Sequence, residues 1–207
     1  MREDAHLQVV AGTDELITKR LRLRPWTIDD ADAALAIFGR REVARWLTPA
    51  VPRVADRDEM RQLLKRWITE HDYAGGSLGH WAIEVRDTGR VIGAVSLLPL
   101  PPGCTDLEIG WQVAPTAWGH GYGAEAGHAV AHQAFANGVS EVFAVVRLSN
   151  TRGVATAQRV GMEWVGETDK YYGLTLQIYR LTAADLDYVP YPPRPRADPE
   201  QPDVADG

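Results

Sequence analysis

Residues 107–137 read LEIGWQVAPTAWGHGYGAEAGHAVAHQAFAN, and the three alternating glycines in that run, Gly119, Gly121 and Gly123, restrict the fold more than any other stretch. Before them stands an apolar strand blocked by Pro115, and after them an alanine-rich helix that Gly138 ends. Glycine removes the side chain where the backbone must come close to another group, and a run of free N–H groups at a helix start attracts negative charge. The pattern predicts a strand, a tight turn and a helix whose first N–H groups face an anion such as a phosphate.

The rest of the chain supplies the sheet and its cover. LITKRLRLRP (16–25) alternates apolar and polar residues as a half-buried strand does. Thr27, with Asp30 three residues on, starts a helix that Gly39 stops. From Asp56 to Glu70, Met60, Leu63, Leu64, Trp67 and Ile68 recur at helical spacing and mark an amphipathic helix. A poorly patterned link joins these two helices. HWAIEVRDTGRVIGAVSLLPL (80–100) has two apolar runs around DTGR and reads as a hairpin. After the helix that follows the glycines, EVFAVVRL (141–148) is a nearly continuous apolar strand and TRGVATAQRV (151–160) a short helix ending at Gly161. MEWVGE and LTLQIYRL are two last strands. The order β-α-α-β-β-β-α-β-α-β-β predicts an α/β domain over 16–188, a mixed sheet covered by helices. A polar leader (1–15) precedes it. A proline-rich tail (189–207) follows, too polar to bury the surface that independent folding needs, and is expected to be disordered.

At 207 residues and 45% hydrophobic content the chain holds one domain with a sizeable core. MREDAHLQVV carries charges where a signal peptide has an apolar run, and no apolar stretch approaches the length of a membrane span. A cytoplasmic protein with no membrane attachment is expected. A lone cysteine, Cys104, excludes an internal disulfide and any thiolate-rich metal site. The formal net charge of −6 argues against broad nucleic-acid affinity and suits a cationic or amine-bearing partner.

Three readings of the glycine turn compete. One is a purely structural turn. Another is a dinucleotide-binding turn, which needs an acidic residue about 20 positions on, at the end of the next strand, whereas Glu141 stands at that strand's beginning. The third is a site for the pyrophosphate of coenzyme A. The stretch resembles the cofactor motif of the GNAT superfamily of N-acetyltransferases, Gln/Arg-x-x-Gly-x-Gly/Ala, with Trp118, Gly121 and Gly123 at its defining positions. Trp118 departs from the Gln/Arg rule, yet the backbone donors remain. A tryptophan there, followed by G-x-G-Y-G-x-E-A, resembles the RimJ/RimL branch. TKRLRLRPWTIDDADA (18–33) and EIGWQVAP (108–115) are similar to that branch's opening and central strand. NTRGVATAQRVGM (150–162) resembles its N-x-x-S-x-x-x-x-x-x-x-G-F segment, with Gly153 in place of the Ser and Met162 in place of the Phe.

The resemblance implies a GNAT fold, a mixed and mostly antiparallel sheet whose splayed central strands hold acetyl-CoA, and direct acetyl transfer to a primary amine. The acceptor is a protein N-terminal amine or a small-molecule amine, and no metal is implied. A CoA-binding regulatory module that has lost transfer is the rival. Gln112, Val113, Trp118, Gly119, His120, Gly121, Tyr122, Gly123, Ala124 and Asn150 are the expected acetyl-CoA residues, with a backbone N–H near Val113 stabilising the oxyanion. Glu108, a few residues before the turn, is the candidate base, acting through water. His80 is a second candidate base, and Tyr171 or Tyr172 is a candidate acid, Tyr172 foremost. Trp46 and Leu47 are expected in the acceptor groove. Cys104 has no adjacent base. His128, His132 and Glu125 share a helix face but lack the H-E-x-x-H order of a zinc site. The open sheet edge at the C-terminal strands is a place where two chains could pair.

Overall fold

The computed structural model describes residues 8–9, 14–47, 49–51, 53–101, 103 and 105–186. Cys104, the tail and most of the leader lie outside them. Among the described residues nine strands form one sheet: β1 (Gln8–Val9), β2 (Leu16–Ile17), β3 (Leu21–Pro25), β4 (Gly79–Val85), β5 (Arg90–Pro99), β6 (Leu107–Val113), β7 (Glu141–Arg147), β8 (Glu163–Thr168) and β9 (Leu176–Thr182). Their spatial order is β1-β2-β3-β4-β5-β6-β7-β9-β8. Five helices accompany them: α1 (Ala31–Phe38), α2 (Arg41–Leu47), α3 (Arg57–Tyr73), α4 (Tyr122–Ala136) and α5 (Thr151–Val160). This is the mixed, mostly antiparallel α/β architecture that the sequence implies.

Alternation along the strands builds a different core on each face. Trp81, Ile83, Val95, Leu97 and Ile109 pack with Ala126, Val130 and Ala157 of α4 and α5. Ala82 and Ala94, which point the other way, pack with Phe38, Met60, Leu64 and Trp67 of α1 and α3. Small residues on that second face let the helices approach the sheet closely.

Two local expectations are corrected. LITKRLRLRP is not one strand but the hairpin β2–β3, because the Leu21 N–H bonds the Thr18 hydroxyl at 2.9 Å and the Thr18 N–H bonds the Leu21 carbonyl at 2.9 Å. Neither Gly nor Pro marks that turn. The link between the first helices contains α2, whose pattern is faint because it buries only Val43 and Ala44. The Thr27 helix start stands as expected: the Asp30 carboxylate takes both the N–H and the hydroxyl of Thr27 at 2.9 Å. Arg24 clamps the same carboxylate at 2.8 Å and reaches Glu84 at 2.8 Å, which fixes α1 to β3 and β4.

All strand neighbours are antiparallel except β6 and β7. These two are parallel and pair only at Leu107 with Val142 and Glu108 with Phe143. Residues 109–113 of β6 pair with β5 alone. The sheet therefore opens at Glu108, with α4 starting beyond one end of the opening.

Candidate active site

The turn between β6 and α4 has the backbone that its glycines imply. Gly119 and Gly121 have φ of +82° and +77°, left-handed values that side chains adopt only with strain. Gly121 is the N-cap of α4, and no side chain caps it. Tyr122, Gly123 and Ala124 thus open the helix with N–H groups that lack a capping side chain, at its positive end. Gly123 is helical, and a Cβ there would meet Thr156, Val113 and Trp111 at 3.5–3.6 Å. Those are ordinary contact distances, so packing against β6 and α5 does not by itself demand glycine there.

Two arginines flank this turn, and neither stood out in the sequence. Arg20, from the β2–β3 turn, donates to the His120 carbonyl at 2.9 Å and pairs with Glu125 at 2.6 Å. Its guanidinium lies 4.7 Å from the centre of the Tyr122 ring, which stacks on His120. The Thr18 hydroxyl and the Arg20 N–H also bond Glu125, at 2.6 and 2.9 Å. Glu125 is thereby committed to the hairpin rather than to His128 and His132, which form a pair of their own with ring centres 4.6 Å apart. Arg152, in the first turn of α5, lies 4.2 Å over the Trp118 ring.

Trp118 has a use that explains its departure from the motif. Its indole N–H donates to the Val113 carbonyl at 2.7 Å, tying the turn to the end of β6. That carbonyl is therefore engaged within the protein, which narrows the expectation that backbone around Val113 is free for the cofactor arm. Gln112 instead faces the cavity described next.

Where β6 and β7 part, a cavity of about 180 Å³ opens on the α1–α3 face. It brings together Glu108, Gln112, Asn150 and Tyr172 with Trp46 and Leu47 of α2. His80 and Ser96 also line it. Ser96 is a wall residue that the sequence did not single out. The Tyr172 hydroxyl donates to Glu108 Oε2 at 3.0 Å, joining the two candidate catalytic residues across the opening. Tyr172 holds φ at +58°, a strained value for a residue with a side chain, so the loop before β9 is bent to deliver this phenol. Burial pushes the Glu108 carboxyl up to about 7, against hydrogen bonds from Tyr172 and the Val145 backbone that lower it. Burial, then the nearby Glu108 carboxylate, hold the Tyr172 phenol above its ordinary range. Tyr171 is buried in the small cluster with Leu100 and Leu176 instead.

Asn150 is the N-cap of α5, its Oδ1 accepting from the Gly153 N–H at 3.1 Å. A Cβ on Gly153 would lie 2.7 Å from Asn150 Nδ2 and 2.8 Å from Val146, which accounts for glycine where the motif has serine. Asn150→Ala is expected to lower unfolding free energy by about 1 kcal/mol, the usual worth of such a cap. Urea titration checks this. A parallel loss of acetyl-CoA affinity would show that Nδ2 also serves the ligand.

The comparisons with known proteins agree with this geometry. A family model described as an acetyltransferase (GNAT) domain matches residues 20–163. A Bacillus subtilis (strain 168) protein described as an uncharacterized N-acetyltransferase, YoaA, is 28% identical over 157 residues, covering 75% of this chain and 86% of its own. A GNAT-family acetyltransferase from Bacillus anthracis superposes with a TM-score of 0.68 at 18% identity, over 81% of this chain and 98% of that one. Mycobacterium smegmatis RimJ, in complex with CoA-disulfide, superposes with a TM-score of 0.66 at 19% identity, over 82% of this chain and 85% of that one. The family match runs from Arg20 through the opening, the glycine turn and α5. The chain belongs to the GNAT acetyltransferases and is an acetyl-CoA-dependent acyltransferase.

Proposed function

We propose that this chain acetylates a primary amine by direct transfer within a ternary complex, the acceptor being a protein N-terminal amine or a small-molecule amine. The observation that carries the reading is Glu108, a carboxyl set at the opening of the sheet whose proton affinity is matched to neutral pH. The residues present fit acetyl-CoA. An uncapped helix start flanked by Arg20 and Arg152 suits a pyrophosphate, and nothing lies within 4 Å of a Cβ on Gly119. Trp118, Gly119, His120, Gly121, Tyr122, Gly123, Ala124 and Asn150, with Gln112 and Val113, are the residues that would hold it. When bound, acetyl-CoA supplies an activated acyl thioester.

An alkylammonium is almost entirely protonated at pH 7, and Glu108 accepts its proton through water. Tyr172 orients that carboxylate. Once Glu108 carries the amine's proton, Tyr172 passes its own to the departing sulfur and is refilled from Glu108. The ammonium loses two protons in becoming an amide: one reaches sulfur by this route, the other leaves through water to solvent, and both side chains end as they began. His80 does not fit the base role, because burial and the neighbouring His71 push it down to about 3. Trp46 and Leu47 receive the body of the acceptor.

No described helix is long and apolar enough to cross a membrane, and a cytoplasmic location remains part of the proposal. So does a homodimer, for which the exposure of Trp164 and Val165 on edge strand β8 is the support. The test of function is thiol release from acetyl-CoA in the presence of peptides with free N-termini, polyamines, amino acids or aminoglycosides. Release that depends on one of these amine classes is expected. Acetyl-CoA that binds but releases no thiol with any of them would overturn the transfer reading.

A further inference from the structure

His80 walls the acceptor cavity without a part in the proton transfer above. It pairs with Ser96 across β4 and β5, and Ser96 pairs with Gly110 across β5 and β6. The three therefore form one row on one face of the sheet. Glu108 is on the same face, two residues along β6 from Gly110. In a regular sheet the Cα atoms of His80 and Glu108 then lie roughly 12 Å apart, two strand spacings across and two residues along. That distance leaves room for a water and the reacting end of an acceptor.

His80 is 9% exposed and its imidazole stacks on Trp67 with ring centres 4.2 Å apart. Its Nδ1 is buried with no hydrogen-bond partner. Such orphans are uncommon, because a buried polar atom left unpaired costs about 1–3 kcal/mol. A phenylalanine would make the same stack without that cost, so packing alone does not account for a histidine. With its pKa pushed down to about 3 the ring is neutral and carries a single proton. Nδ1 has no acceptor to give that proton to, which assigns it to Nε2, the other nitrogen of a residue that lines the cavity.

We infer that His80 selects the acceptor by donating a hydrogen bond to a neutral oxygen, an amide carbonyl, on the carbon next to the acceptor amine. The inference rests on amine acetylation in this cavity. A carboxylate in the same place meets a neutral donor and the negative charge of Glu108, and is disfavoured. A plain alkylamine leaves the donor unanswered. The preferred class is thus an α-amino amide, as at the end of a peptide, over a free amino acid or a simple amine.

Leucinamide, leucine and 3-methylbutylamine share one side chain and separate these cases. Their kcat/KM values are compared per free amine, because an α-amine beside an amide ionises near 8 and an alkylamine near 10.4, while leucine's own carboxylate holds its amine above the first of these. The expected ratio of leucinamide to 3-methylbutylamine is tenfold or more for the natural chain, with leucine below leucinamide. His80→Phe keeps the stack on Trp67 and is expected to bring the ratio to about one. His80→Gln, which keeps a neutral donor, is expected to retain part of it. A ratio near one in the natural chain overturns the inference without any variant, and so does a ratio that His80→Phe leaves intact. Thiol release with none of the three amines, nor with any in the wider screen, overturns amine transfer itself and this inference with it.

Discussion

Glu108→Gln is expected to slow acetyl transfer by about 100-fold or more, the usual contribution of a general base, while making the protein more stable at pH 8. The two effects share one cause. Burial raises the folded carboxyl from its ordinary 4.5 to about 7. Below 4.5 the folded and unfolded chains are both protonated there, and the group has no effect. Between 4.5 and 7 the unfolded chain ionises while the folded one holds its proton, so stability falls as pH rises. Above 7 the loss is complete, at about 3 kcal/mol for this shift. The glutamine variant has no such loss. Its melting temperature should match that of the natural chain near pH 4, rise above it through pH 7, and run parallel beyond. Turnover of the natural chain should rise with pH through about 7, as the carboxyl ionises, and the variant should lack that limb. A variant with an unchanged pH–rate profile removes the base assignment, whatever its melting curve does.

Gly121→Val is expected to abolish measurable acetyl-CoA binding in calorimetry. Gly121 holds φ at +77° at the N-cap of α4, where a β-branched residue is strained by about 1–2 kcal/mol, and its Cβ would stand 3.6 Å from Arg20 Nη2 in the turn offered to the pyrophosphate. Strain alone would also lower affinity if it unfolded the turn, so a control is needed. Gly138 has φ of +84° with open space around its Cβ, at the far end of α4. Gly138→Val carries a similar backbone penalty away from the turn. Equal losses of affinity in the two variants would mean that conformation, not contact with the ligand, is what Gly121 provides.

The glycine turn, the strand before it and α5 were legible because local rules govern them: positive φ, helical period and the Asn150 cap are all written within a few residues of where they act. The pairing of Tyr172 with Glu108 was not, although both were candidates, since 64 residues separate them and only the β8–β9 loop brings the phenol across. That His80, a candidate base in the sequence, is buried was not legible either. Its burial comes from Trp67 on α3, a helix that runs three residues past the expected Glu70 and is set down on β4 by tertiary packing. The β2–β3 turn was invisible because a threonine hydroxyl makes it, without glycine or proline.

The grip of Thr18 and Arg20 on Glu125 closes over 107 and 105 residues, which bears on how the enzyme is made. Contacts of such separation form only after a long loop has been closed at an entropic cost. The glycine turn therefore gains its anchor when the first hairpin meets α4, not when the turn itself is synthesised. A ligand that binds only the native state adds about 2.7 kcal/mol of stability at a hundred times its dissociation constant. A chain growing from its N-terminus has no share in that protection until Glu125 has emerged, so more than half of its synthesis proceeds with no stabilisation from its own cosubstrate.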